Sequence, residues 1–206
     1  MLYKIARFLA SLVAKILRVE YIGTENIPES GGLIIAGNHS SYLDVVFLAP
    51  MCKRPIYFMA KKELFKIPIF NYVIRHLNAF PVDREKPGKS SILNSKKILK
   101  SGNVLGMFPE GTRHVESIGK PFLGIGFLSV KNNVPILPIA IYGTAKAAPK
   151  GKYFPNFTKI KVKVGNIINP VKVYDKKSEK NLIKDITYQT MNQLEDMLKD
   201  LGEEGE

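Results

Sequence analysis

Past residue 20 the chain alternates short β-rich runs with helical stretches, and this alternation restricts it to an α/β sheet covered by helices. Leu33 to Ala36 (LIIA) reads as a buried strand, followed by a polar turn and a helical run from Tyr42 to Leu48. Ile56 to Ala60 is a second strand. Helical patterns follow at Pro68 to Leu77 and Lys89 to Lys100, and strands at Val104 to Phe108 and Ile136 to Tyr142. A Lys-rich stretch from Lys146 to Lys163 leads into an alternating strand, Lys159 to Val164. The chain then runs into a helix of about twenty residues before the polar tail Gly202 to Glu206. No internal repeat or linker divides it, and 206 residues suffice to bury one core.

Thirty-one Lys plus Arg against eighteen Asp plus Glu give a formal charge of +13. Such a surplus draws a protein to nucleic acid, anionic lipid or phosphorylated substrates, and charge alone does not choose among them. The basic residues are spread through the chain and form no nucleic-acid-binding motif, which leaves nucleic-acid binding a distant alternative. One cysteine, Cys52, excludes an internal disulfide framework and suits a reducing compartment, with cytoplasmic residence as the default. No cluster of His and carboxylates stands at metal-ligand spacing.

The opening MLYKIARFLASLVAKILR has its own pattern. Wound at about 100° per residue, Lys4, Arg7, Ser11, Lys15 and Arg18 fall in a strip roughly 80° wide, and the remaining surface is apolar. Wide apolar coverage beside a purely basic strip reads as a helix lying in a bilayer interface, with Lys and Arg stems snorkelling toward headgroups. Charges every three or four positions argue against a transmembrane span, and the short uncharged run Phe8 to Ala14 argues against a signal peptide. The alternative is a soluble helix packed on the core. Residues 1–19 are therefore read as a membrane-association helix and 20–206 as the main domain.

Asn38-His39-Ser40-Ser41-Tyr42-Leu43-Asp44 directly follows the LIIA strand, which puts His39 in a strand-to-helix turn at the sheet edge, where α/β folds build their sites. An imidazole, with an ordinary pKa of about 6.5, can take a proton at neutral pH and return it. On a continuous helix residues five apart point about 140° from each other, so Asp44 can orient His39 only if His39 lies in the turn. Equally, Ser41 and Asp44 have the spacing of a capping box. In Phe108-Pro109-Glu110-Gly111-Thr112-Arg113 a second strand ends in a tight turn, with Pro109 fixing φ and Gly111 permitting a positive one. Thr112 and Arg113 face the same mouth as His39 if the two strands are parallel neighbours. A guanidinium there suits phosphate, although for the hexapeptide alone an ordinary turn with a solvated Arg is the better fit. Phe80 to Arg84 and Met59 to Leu64 each follow a β-rich run and add a cation, Arg84 and Lys61. His76 and His114 have no acidic partner at a telling spacing.

Taken together these segments resemble the glycerolipid acyltransferase family, over about residues 20 to 170. Asn38-His39 through Asp44 is similar to its N-H-x-x-x-x-D block, Phe80 to Arg84 to its second block, Phe108 to Arg113 to its F-P-E-G-T-R, and Val134-Pro135-Ile136-Leu137-Pro138 to its fourth. Asn78 stands where the second block often begins with glycine, and His114 where serine often follows the third.

The resemblance implies a single α/β acyltransferase domain with a mixed, mostly parallel sheet. It implies a fatty acyl thioester donor, acyl-CoA or acyl carrier protein (acyl-ACP), and lysophosphatidate as acceptor, with no bound cofactor or metal. In its terms His39 and Asp44 are the catalytic pair, Lys61, Arg84 and Arg113 hold the phosphate, and Glu110, Gly111 and Thr112 shape the acceptor pocket. Other acceptors, such as glycerol 3-phosphate, another lysophospholipid or an aminolipid, are the alternative. The expected location is peripheral, on the cytoplasmic face of the cell membrane.

Overall fold

The computed structural model describes residues 2–83, 88–115, 117–149, 156–172 and 175–203. Among them seven strands form one sheet: β1 (Glu20–Ile22), β2 (Leu33–Gly37), β3 (Ile56–Lys61), β4 (Ala79–Val82), β5 (Val104–Met107), β6 (Ile136–Tyr142) and β7 (Lys161–Val164), in the order β1-β7-β6-β2-β5-β3-β4. β2 pairs in parallel with β5 and β6, and β3 in parallel with β5 and β4. β7 runs antiparallel to β6, and β1 runs parallel to β7. The sheet is thus mixed and mostly parallel, as the family resemblance implied.

The central strands explain themselves. β2 lies between two neighbours with helices above and below, so it must be apolar on both faces, and Leu33, Ile34, Ile35 and Ala36 are fully buried. One face carries α1 (Leu2–Ile16) and α2 (Leu43–Met51), which pack on Leu33, Ile35, Leu137 and Ile139. The other carries α4 (Lys89–Lys100), α5 (Gly124–Asn132) and α7 (Lys176–Glu203) over Ile34, Leu105 and Ile136. α3 (Pro68–His76) links β3 to β4, and the short α6 (Thr144–Ala147) follows β6.

The elements differ from the sequence reading in places. β1 and α5 were not anticipated, and the last helix has 28 residues rather than about twenty. β1 is only three residues at the sheet edge, which is too short to show a period of two. In α5 two glycines and Ser129 blur the apolar stripe.

α1 packs on the body through its smallest side chains. Ala10 and Ala14 are buried, whereas Ile5, Phe8, Leu9, Leu12 and Ile16 stand exposed, Phe8 at 69%. Arg7 Nη1 donates to the Lys53 carbonyl at 3.0 Å, and the Ile56 N–H donates to Tyr3 Oη at 3.1 Å. The helix is therefore docked, but with its large apolar residues turned outward. No helix among the described residues is long and apolar enough to cross a membrane.

Candidate active site

β2 and β5 are parallel neighbours, with Leu33 opposite Val104 and Ala36 opposite Met107, so the turns that follow them leave the sheet side by side. Asn38 ends β2 by using its side chain as a strand partner: its Nδ2 donates to the Ile141 carbonyl at 2.9 Å and its Oδ1 accepts the Ile141 N–H at 2.7 Å. The chain is free to turn immediately afterwards while still tied to β6. His39 then sits before α2 rather than in it, which removes the 140° conflict and lets it meet Asp44.

They meet at 2.9 Å, His39 Nδ1 to Asp44 Oδ2. The same oxygen accepts the Ser40 and Ser41 N–H groups, each at 2.8 Å, and Oδ1 accepts the Thr144 hydroxyl at 2.6 Å. Asp44 is fully buried. Four donors converging on one carboxylate fix its role as acceptor, so the ring carries its proton on Nδ1 and keeps the lone pair on Nε2. The capping alternative survives in part. Asp44 takes the Ser41 N–H, as the box requires, but Ser41 Oγ accepts from the Leu43 N–H at 3.3 Å and Tyr42 precedes the first helical residue.

The second turn holds the first. The His114 N–H donates to the His39 carbonyl at 2.7 Å, and Gly111 adopts φ +68° in contact range of Phe122, where an added Cβ would come within 2.7 Å of the ring. Glu110, which the resemblance implied as a residue shaping the acceptor pocket, has its carboxylate turned inward. It is 3% exposed, and its two oxygens accept the N–H groups of His39 and Gly119, both at 2.8 Å, which makes it an internal brace. Burial raises its pKa above the ordinary carboxylate value, against the lowering by the Gly119 and His39 N–H groups and the nearby His114.

The cations implied as phosphate ligands are differently placed. Arg113 is exposed on the same turn, with its guanidinium carbon 3.8 Å from the centroid of the exposed Tyr42 ring. Thr112 is exposed beside it. Lys61 ends β3 on the same edge of the sheet, 3.9 Å from Glu63. Arg84 lies outside the described residues.

An apolar cavity of about 610 Å³ lies on the α4, α5 and α7 side, within the size range of small-molecule sites. Its walls include Phe108, Phe122, Ile125 and Leu128, with Lys180 of α7 as a charged wall residue. Phe108 belongs to both places, since it lines this cavity and stacks on His39 with 4.1 Å between ring centroids. Chemically the site is an imidazole whose Nδ1 is held by a buried carboxylate, its ring face against an aromatic that walls an apolar chamber.

Two contributions escaped sequence reasoning. Phe108 was read only as part of a motif, and Thr144 was not singled out. The one signal for Thr144 was its position after a strand at the carboxyl end of a parallel sheet.

That turn pair on that sheet is the frame of the acyltransferases: the Acyltransferase family model matches residues 18–142, and the chain belongs to this family. Over 126 residues it is 38% identical to the 1-acyl-sn-glycerol-3-phosphate acyltransferase of Bacillus subtilis strain 168, covering 61% of this chain and 63% of the relative. Over 174 residues it is 28% identical to the protein of that name from Borreliella burgdorferi, covering 82% of this chain and 70% of the relative. The crystal structure of the 1-acyl-sn-glycerophosphate (LPA) acyltransferase PlsC from Thermotoga maritima superposes with a TM-score of 0.71 at 27% identity, covering 92% of this chain and 78% of that one. The match spans slightly less than two thirds of the Bacillus subtilis protein's length.

Proposed function

We propose that this protein transfers a fatty acyl group from an acyl thioester, acyl-CoA or acyl-ACP, to the sn-2 hydroxyl of 1-acyl-sn-glycerol 3-phosphate, giving phosphatidic acid. The observation that carries the reading is the 2.9 Å contact of His39 Nδ1 with the buried Asp44 carboxylate. With Nδ1–H held by Asp44, Nε2 is the ring nitrogen able to accept a proton. As the acceptor hydroxyl oxygen bonds to the thioester carbonyl carbon, its proton passes to Nε2; the C–S bond then breaks, and the departing thiolate recovers that proton from the imidazolium. The attacking group comes from the substrate, so no acyl-enzyme is needed.

The remaining roles follow from placement. The apolar cavity beside Phe108 takes an acyl chain, and Arg113, with Lys61, receives the phosphomonoester; the family resemblance adds Arg84 to them. No cofactor takes part in these steps. The names of the relatives support lysophosphatidate as the acceptor. The outward-facing Ile5, Phe8, Leu12 and Ile16 of α1, set beside Lys4, Lys15 and Arg18, support a peripheral position on the anionic cytoplasmic face of a membrane, where the acceptor resides.

The test is mass spectrometry of the lipids formed by purified protein from a panel of lysolipids, glycerol 3-phosphate and an aminolipid, with acyl-CoA and acyl-ACP supplied separately. Phosphatidic acid from lysophosphatidate is the expected product. Turnover of another acceptor in preference to lysophosphatidate would overturn the assignment.

A further inference from the structure

Asp44 is held from two directions. The Ser40 and Ser41 N–H groups come from its own turn, but Thr144 comes from the first residue of α6, one hundred positions along the chain. Thr144 and Asp44 are both 0% exposed, and the hydroxyl lies 2.6 Å from Oδ1. A carboxylate can only accept, so the single Thr144 proton points at Asp44. The Ser40 hydroxyl, 3.0 Å away, must then donate to Thr144. The protons are thereby aligned in one direction: Ser40 O–H to Thr144, Thr144 O–H to Asp44 Oδ1, and His39 Nδ1–H to Asp44 Oδ2. Buried hydrogen bonds linked in a chain, as from Ser40 through Thr144 to Asp44, polarise one another.

Without Thr144, Oδ1 loses its donor, and the carboxylate is restrained about χ2 through Oδ2 alone. The lone pair on Nε2 is aimed by the Nδ1–Oδ2 bond, so any such rotation misdirects the nitrogen that receives the substrate proton. Ser and Thr differ here only by a methyl group, whereas Val keeps the shape and deletes the hydroxyl.

We propose that Thr144 is a positioning residue for proton transfer at His39, acting through Asp44. This rests on the reading of His39 as general base.

The experiment compares Thr144→Val, Thr144→Ala and Thr144→Ser in the full chain, with His39→Ala as control, using lysophosphatidate and an acyl thioester. A hydrogen bond to a charged group corresponds to about a ten- to hundredfold effect, so kcat should fall by that factor in the Val and Ala variants, with both KM values within about threefold. Thr144→Ser should stay within about threefold of wild type in both constants. The downfield proton NMR resonance of His39 Nδ1–H, which a purely structural role would leave in place, should shift or broaden in Val and Ala and persist in Ser. If Val does not fold, Ala decides. If neither folds, Ser40→Ala, which removes the donor feeding Thr144, must move the same resonance, and an unchanged signal overturns the proposal. It is also overturned if the Val or Ala variant keeps wild-type kcat, or if Ser loses as much as Val. Should His39→Ala itself turn over normally, the base reading fails. If His39→Ala is inactive while the Thr144 variants are normal, only the present proposal fails.

Discussion

The ring of Phe108 lies flat against that of His39, with centroids 4.1 Å apart and planes 18° from parallel. Phe58 supports it from behind at 6.2 Å and 13°, in space that Gly106 leaves open; a Cβ on Gly106 would fall 2.3 Å from the Phe58 ring. The imidazole is thus fixed by its face, by Nδ1 and by its own backbone N–H. His39→Ala should abolish turnover while stability changes by about 1 kcal/mol. Phe108→Leu removes the flat support and leaves a smaller apolar side chain on the cavity wall. Aromatic stacking is worth about 0.5–1.5 kcal/mol, so kcat should fall by up to about tenfold. Steady-state kinetics with thermal melts check both, and an unchanged kcat in Phe108→Leu would mean that Asp44 alone orients the ring.

Deleting α1 outright would also uncover α2, because Ala10 and Ala14 belong to the packed surface. The cleaner variant is Phe8→Ser, Leu12→Ser and Ile16→Ser combined, which changes only outward-facing positions. The folded protein should remain, with its melting temperature within a few degrees, while sedimentation with anionic vesicles is lost. Activity on bilayer lysophosphatidate should drop much further than activity on a short-chain, soluble lysolipid. Undiminished vesicle binding would rule out this face as the membrane contact.

Arg113 is prearranged on Tyr42, with the guanidinium 3.8 Å over the ring. Arg113→Ala should lower kcat/KM for lysophosphatidate about ten- to hundredfold through KM, because charge-assisted hydrogen bonds contribute about 1.5–3 kcal/mol. Arg113→Lys should restore only part, since an ammonium lacks the bidentate fork. The KM of the thioester should hardly change. An acceptor without a phosphomonoester, such as a monoacylglycerol, should be equally poor with all three proteins. An effect confined to the thioester would move the phosphate site elsewhere.

Glu110 makes a pH-dependent contribution whose sign follows from its raised pKa. The folded state holds the carboxyl proton more tightly than the unfolded chain, whose value is near 4.5. The resulting stabilisation is complete below pH 4.5, declines as pH rises through the higher folded value, and is absent above it. Urea unfolding at a series of pH values should therefore show wild type losing stability relative to Glu110→Gln as pH increases over that window. A relative gain would mean that the His39 and Gly119 N–H groups outweigh burial.

How far the sequence disclosed these features depended on distance along the chain. LIIA and Ile136–Tyr142 were legible because a strand buried on both faces is an unbroken apolar run. The meeting of His39 and Asp44 was legible because only five positions separate them, across the turn that leads into α2. β4 was legible only as a β-rich run without bounds, since it is four residues long at the sheet edge and contains Pro81, which such an edge tolerates. The inward aim of Glu110 depends on Gly119, nine positions later, and the hydroxyl on Asp44 comes from Thr144, at a separation that no local pattern encodes.

The side-chain pairing of Asn38 with Ile141 spans 103 positions. Contacts of such long separation form only after the intervening chain has been brought together, at an entropic cost that grows with the logarithm of the loop they close. A partly folded chain, or a fragment ending before Ile141, carries the whole Asn38–Asp44 segment yet has nothing to anchor its first residue. Chemical competence at this turn is therefore a late event in folding, and the appearance of turnover during refolding reports the docking of β6.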